Sequence, residues 1–86
     1  MEERRRKLLF RAWRRGIREL DLMIGSFADE HLADLSDSEV DEFERLLAVP
    51  DWEMYGWLTG TAVEPPNYAG PLLDRMKQFK YSAQPG

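Results

Sequence analysis

The chain has 86 residues, 43% of them hydrophobic and 33% charged, which gives room for one domain with a modest core and marginal stability. It contains no cysteine, which excludes a disulfide framework, a thiolate metal site and a cysteine nucleophile. The net charge of −4 conceals a polarity: residues 1–18 carry eight basic and two acidic side chains, whereas residues 19–53 carry twelve acidic ones against Arg45 alone.

A dipolar chain of this kind suits an oriented encounter with a partner more than generic binding to nucleic acid. Apolar runs such as Leu8-Leu9-Phe10 are far short of a membrane span. Arg11, Arg14 and Arg15 interrupt any secretory apolar region after the basic start. On these grounds the chain is expected to be cytosolic, with no direct insertion into a membrane.

Helical periodicity dominates, and no stretch alternates as a strand does. The first helix is expected over about Glu3 to Arg15. Leu9 and Trp13 lie one turn apart with Leu8 and Ala12 beside them, acids stand at its start and arginines at its end. Gly16 stops or bends it. A second helix is expected over Ile17 to Ala33, with Leu20, Ile24, Phe27 and His31 on one stripe. In Ser36-Asp37-Ser38-Glu39 the serine and the glutamate three residues on form a capping box. The third helix that follows runs to about Ala48 and points Val40, Phe43, Leu46 and Leu47 inward. Pro50 breaks it, and Asp51 is expected to cap a short fourth helix carrying Trp52, Met54, Tyr55, Trp57 and Leu58, stopped at Gly60. Residues 60–70 form a loop stiffened by Pro65-Pro66. Gly70-Pro71 opens a last helix with Leu72, Leu73, Met76 and Phe79 on its apolar face. The expected fold is all-α: a compact single domain of about five helices over residues 1–81, with a disordered tail at 82–86.

Catalytic chemistry is not visible. His31, the sole histidine, falls on a core stripe and has no second imidazole or thiolate to share a zinc ion. The acids Asp34, Asp37, Glu39, Asp41, Glu42 and Glu44 lack the central glycine of a calcium loop and read as a solvated helix face. No glycine-rich phosphate loop and no nucleophile elbow is present. The basic first helix, with Trp13 for stacking, permits an alternative reading as a small nucleic-acid-binding regulator. The acidic segment beside it opposes that reading, because it repels phosphate.

The informative stretch is Arg14-Arg15-Gly16-Ile17-Arg18-Glu19. Arg15 and Glu19 are four apart in the weaker orientation for a helical ion pair, and Gly16 between them costs a helix up to about 1 kcal/mol relative to alanine. Two readings stand. Gly16 is a joint between helices, or it is a recognition edge at which another chain approaches closely while Arg15 and Glu19 offer a donor fork and a carboxylate.

Arg15-Gly16-Ile17-Arg18-Glu19 resembles the RGxxE signature of the SdhE family, the FAD assembly factors of succinate dehydrogenase. The blocks "RRGIRELDL", "LSDSEVDEFERLL" and "DWEMYGWLTG" follow in matching order over about residues 8–60. The resemblance implies a five-helix protein that is not itself an enzyme. It implies binding to the flavoprotein subunit of succinate dehydrogenase, and possibly that of fumarate reductase, and promotion of covalent FAD attachment there. It marks Arg15, Gly16 and Glu19, with Arg14 and Arg18 alongside, as partner-binding residues. The free protein is then expected to be a colourless monomer that holds no flavin or metal of its own, FAD belonging to the client.

Overall fold

The first helix packs a basic face on an acidic one, and this pairing organises much of the molecule. The computed structural model describes residues 1–80; the tail expected over 82–86 lies outside the described residues. Helix α1 (Glu3–Ala12) buries Leu8 and Ala12, while Leu9 is half-buried. It ends three residues before the expected Arg15. Arg14 N–H closes the last turn on the Arg11 carbonyl, after Trp13 N–H has made the last bond to the Leu9 carbonyl at 3.3 Å.

Helix α2 occupies residues 18–34 as one continuous rod with changing pitch: an α-helical start (Arg18–Leu20), a π-helical turn (Asp21–Gly25), an α-helical segment (Ser26–His31) and a 3-10 end (Leu32–Asp34). Its buried stripe is Leu20, Ile24, Phe27, Ala28 and Leu32. His31 is half-buried, its ring 4.9 Å from that of Phe27 and 5.7 Å from that of Phe79, as its position on the stripe implies. The π-turn has no counterpart in the sequence reading, because the apolar spacing tolerates one extra residue in a turn.

Helix α3 (Asp37–Leu47) begins at the expected capping box: Glu39 N–H donates to Ser36 Oγ at 3.2 Å and Ser36 N–H to Glu39 Oε1 at 2.8 Å. Those bonds hold the Glu39 carboxyl below its ordinary range, the Ser36 backbone N–H first, with Arg75 assisting. Val40, Phe43, Leu46 and Leu47 all point into the core. Helix α4 (Asp51–Thr59) follows Pro50 and stops at Gly60, whose φ of +82° is the left-handed conformation that glycine adopts without penalty. Helix α5 (Pro71–Gln78) starts with its proline in the first turn and buries Leu72, Leu73 and Met76. Between α4 and α5, Tyr68 turns its ring onto Trp57, with centroids 5.4 Å apart. Lys77 closes the loop from outside by pairing with Glu64 at 2.6 Å. All five helices share one hydrophobic core, and no strand occurs among the described residues.

The sequence-level dipole is largely spent inside this packing. Arg4 Nη2 lies 2.7 Å from both Asp41 and Glu44 on α3. Arg5 donates to the carbonyls of Leu32 and Leu35, at 2.7 and 2.8 Å, at the C-terminal end of α2. The charge separation therefore serves the registration of α1 on α3 before any partner is involved.

Candidate functional site

The connection between α1 and α2 is built by a turn that only glycine enters freely. Gly16 has φ +95°, and Ile17 returns to extended backbone (φ −122°) to begin α2. A Cβ at Gly16 would meet nothing closer than Asp51 Oδ2 at 3.9 Å. The demand for glycine is therefore a demand of the backbone, not of space. Asp21, from the first turn of α2, accepts the Arg15 N–H at 2.6 Å and closes the turn.

Within this turn the charged residues separate into two groups. Arg14, Arg18 and Glu19 are exposed, and so is Gly16. Arg15 points the other way: its side chain is 8% exposed. Its guanidinium donates to the Leu47 carbonyl and, at 2.6 Å, to the Val49 carbonyl, and pairs with Asp51 at 2.9 Å. One planar fork thus satisfies carbonyls left over at the C-terminal end of α3 and fastens the α3–α4 corner to the α1–α2 turn. Arg15 and Glu19 do not face a common ligand from one surface.

Asp51 is the residue the sequence reading misplaced. Its expected role was to cap α4, but Pro50 occupies the capping position and makes no side-chain cap, and Asp51 is spent on Arg15. No local pattern marks that role, since an aspartate after a proline has the same appearance whichever task it performs. Trp13 and Gly25 were missed as a pair. The indole lies against Gly25 so closely that a Cβ there would fall 2.3 Å from Trp13 Cδ2, and the indole N–H reaches Asp29 Oδ1 at 3.4 Å. Gly25 ends the π-turn, so the widened turn and the missing side chain together make the seat for the ring. Trp13 is consequently engaged by the protein itself, and its face is not offered for base stacking.

Beside the turn, a groove of about 470 Å³ runs between Phe10, Arg11 and Arg14 of the α1 end and Leu47, Val49 and Pro50 of the α3–α4 corner, with the Arg15–Asp51 pair also lining it. Phe10 is 57% exposed, and the Arg14 guanidinium stacks 3.8 Å from its ring centroid. The exposed set is thus Phe10, Arg11, Arg14, Arg18 and Glu19 around a rigid corner. It is a surface of mixed charge around an aromatic ring.

Comparison with known proteins shows the family. Residues 6–80 match the family described as "Flavinator of succinate dehydrogenase". Among relatives, the protein named succinate dehydrogenase assembly factor 2, mitochondrial, from Meyerozyma guilliermondii is 43% identical over 77 residues, covering 88% of this chain and 53% of the relative. The protein of the same name from Scheffersomyces stipitis is 40% identical over 81 residues (93% and 50%), and that from Danio rerio 32% over 81 residues (92% and 51%). The chain spans about half the length of these relatives. Nothing in these similarities supports the nucleic-acid reading.

The relatives' names also overturn the cytosolic expectation, since all three are mitochondrial proteins by name. The inference failed because interruption of an apolar run by arginines argues only against a secretory leader, whereas mitochondrial addresses are themselves arginine-rich and amphipathic. On a match that runs from within α1 to beyond the end of α5, and on relatives up to 43% identical, the chain belongs to the family of succinate dehydrogenase flavinators.

Proposed function

We propose that this protein is an assembly factor that binds the flavoprotein subunit of succinate dehydrogenase and promotes covalent attachment of FAD to it, without catalysing the bond-forming step itself. The observation that carries the reading is the match over residues 6–80, which spans the helical body except the first residues of α1. The flavin is cargo of the client, and this chain holds no flavin or metal of its own. Its exposed Arg14, Gly16, Arg18 and Glu19 touch the client, and Arg15 holds the turn in shape from within. The free factor is a monomer. The flavoprotein subunit of fumarate reductase is a second client of the same kind.

The test is co-expression with the flavoprotein subunit, followed by in-gel fluorescence of covalently bound flavin. Omission of the factor should lower the signal, and Glu19→Gln and Arg18→Gln should lower it while the melting temperature holds. Unchanged fluorescence without the factor would refute the proposal. Sedimentation of the purified chain checks the monomer, and a yellow preparation with one flavin per chain would refute the claim that it carries none.

A further inference from the structure

Helix α1 divides its cations by face. Arg4 and Arg5 turn inward to Asp41, Glu44, Asp37 and backbone carbonyls, together with the buried Leu8 and Ala12. The outward stripe at helical spacing is Glu3, Lys7 and Phe10, with Arg6 and Arg11 flanking it and Arg14, just past the helix end, stacked on Phe10. Lys7 is tied to Glu3 at 3.1 Å, and Arg11 has only a distant carboxylate, Glu44 at 3.9 Å. Among the described residues, Arg6 and Arg14 have no carboxylate within ion-pair distance. A chain of net charge −4 thus leaves two unpaired arginines, Arg6 and Arg14, beside an exposed phenylalanine.

Phe10 is a ridge between two depressions. One is the groove already described. The other, about 530 Å³, is lined by Glu3, Arg6, Lys7, Phe10 and Arg11. The cation-π contact holds the Arg14 guanidinium over the ring, beside both depressions, with its N–H groups available to a ligand. A planar fork held ready in this way matches a carboxylate, and the ring beside it matches an apolar side chain one turn away on the same ligand.

We propose that this face of α1 is a docking surface for an acidic amphipathic helix of the client, whose carboxylates engage Arg6, Arg11 and Arg14 and whose apolar side chain covers Phe10. The inference rests on the assembly-factor reading and adds to the Gly16 turn a second contact continuous with it through Arg14. A polypeptide fits better than the other polyanions. Glu3 and Glu44 border the stripe and repel a continuous run of phosphates, whereas a polypeptide can space its carboxylates to avoid them. One exposed aromatic ring on the helix is too little apolar surface to hold it in a lipid interface.

The test measures association of the purified chain with immobilised flavoprotein subunit of succinate dehydrogenase at low and physiological salt. The proteins compared are the wild type, Phe10→Ser, the double variant Arg6→Gln/Arg11→Gln, and Glu19→Gln, each checked by thermal melting. Phe10→Ser should dissociate about tenfold faster, as for loss of a central aromatic contact. The double arginine variant should associate about tenfold more slowly at low salt, with the gap closing as salt rises. Wild-type rates for both, with binding lost only in Glu19→Gln, would overturn this docking surface and leave the assembly-factor reading standing. No binding by the wild type would overturn both. Capture of the wild type but not Phe10→Ser by phosphatidylglycerol vesicles, with flavoprotein binding equal in all variants, would assign the face to lipid and overturn the proposal.

Discussion

Replacing Arg15 by alanine should act on stability before it acts on recognition. The guanidinium serves the carbonyls of Leu47 and Val49 and the carboxylate of Asp51 from a side chain that is 8% exposed. Its removal orphans two acceptors at the α3–α4 corner, each worth about 1–3 kcal/mol when left unsatisfied in the interior. Breaking a buried ion pair from one side costs about 3–5 kcal/mol, but Asp51 is 33% exposed and rehydrates, which puts the case at the lower end. Arg15 Nε is buried without an acceptor among the described residues, which further trims what the cluster contributes. The net expectation is a loss of about 3 kcal/mol, a large share of the roughly 4–13 kcal/mol that a chain of this size commands. At about 4–8 °C per kcal/mol for a small domain, the melting temperature should fall by about 12–24 °C. Circular-dichroism melts of Arg15→Ala, Asp51→Asn and the double variant measure it, with a coupling of at least about 0.5 kcal/mol between the two sites. Flavin attachment in co-expressing cells should fall with Arg15→Ala and recover when the cells grow cold. If Arg15→Ala melts with the wild type while flavin attachment collapses, Arg15 is a contact residue and the strut assignment is wrong.

Gly25→Ala should destabilise by about 1–3 kcal/mol through overpacking, because its methyl group would overlap the Trp13 indole; chemical denaturation followed by tryptophan fluorescence reports both the loss and the displaced ring. Gly16→Ala should cost roughly 1–2 kcal/mol from the backbone alone, since φ is +95° and the space is open, and Gly16→Asn should recover part of it in the same melts. Trp57→Ala, at a position 6% exposed, should lose about 3–5 kcal/mol and abolish flavin attachment by unfolding, which a melting scan separates from loss of a contact. Folding lowers the pKa of Glu39, chiefly through the Ser36 N–H, and of Glu64, chiefly through Lys77, so protonation of either favours the unfolded chain. Their contribution is complete above the ordinary glutamate value of about 4.3 and is lost as pH falls through the lower folded values. Urea midpoints measured across that window should drop less steeply in Glu39→Gln and Glu64→Gln.

The sequence by itself determined the helices, because their signals are local. The Ser36–Glu39 box, the stop at Gly60, Pro71 in a first turn and the stripes that include Phe27, Phe43 and Met76 lie within a few residues of the structure they specify. The resemblance carried by Arg15, Gly16 and Glu19, together with the two later blocks, was likewise legible, and the match over residues 6–80 agrees with it. What the charges do was decided only by tertiary structure. Arg15 and Glu19 look like one bidentate edge on the page, yet Arg15 finds its acceptors 32 and 34 residues away and turns inside, while Glu19 stays at the surface. Asp51 changes from a cap to an ion-pair partner, and Gly25 from an unremarked helix residue to the seat of Trp13, for the same reason. Periodicity states which face of a helix turns inward. It does not state which helix will stand opposite, and the role of a guanidinium or a missing side chain is set by what stands opposite.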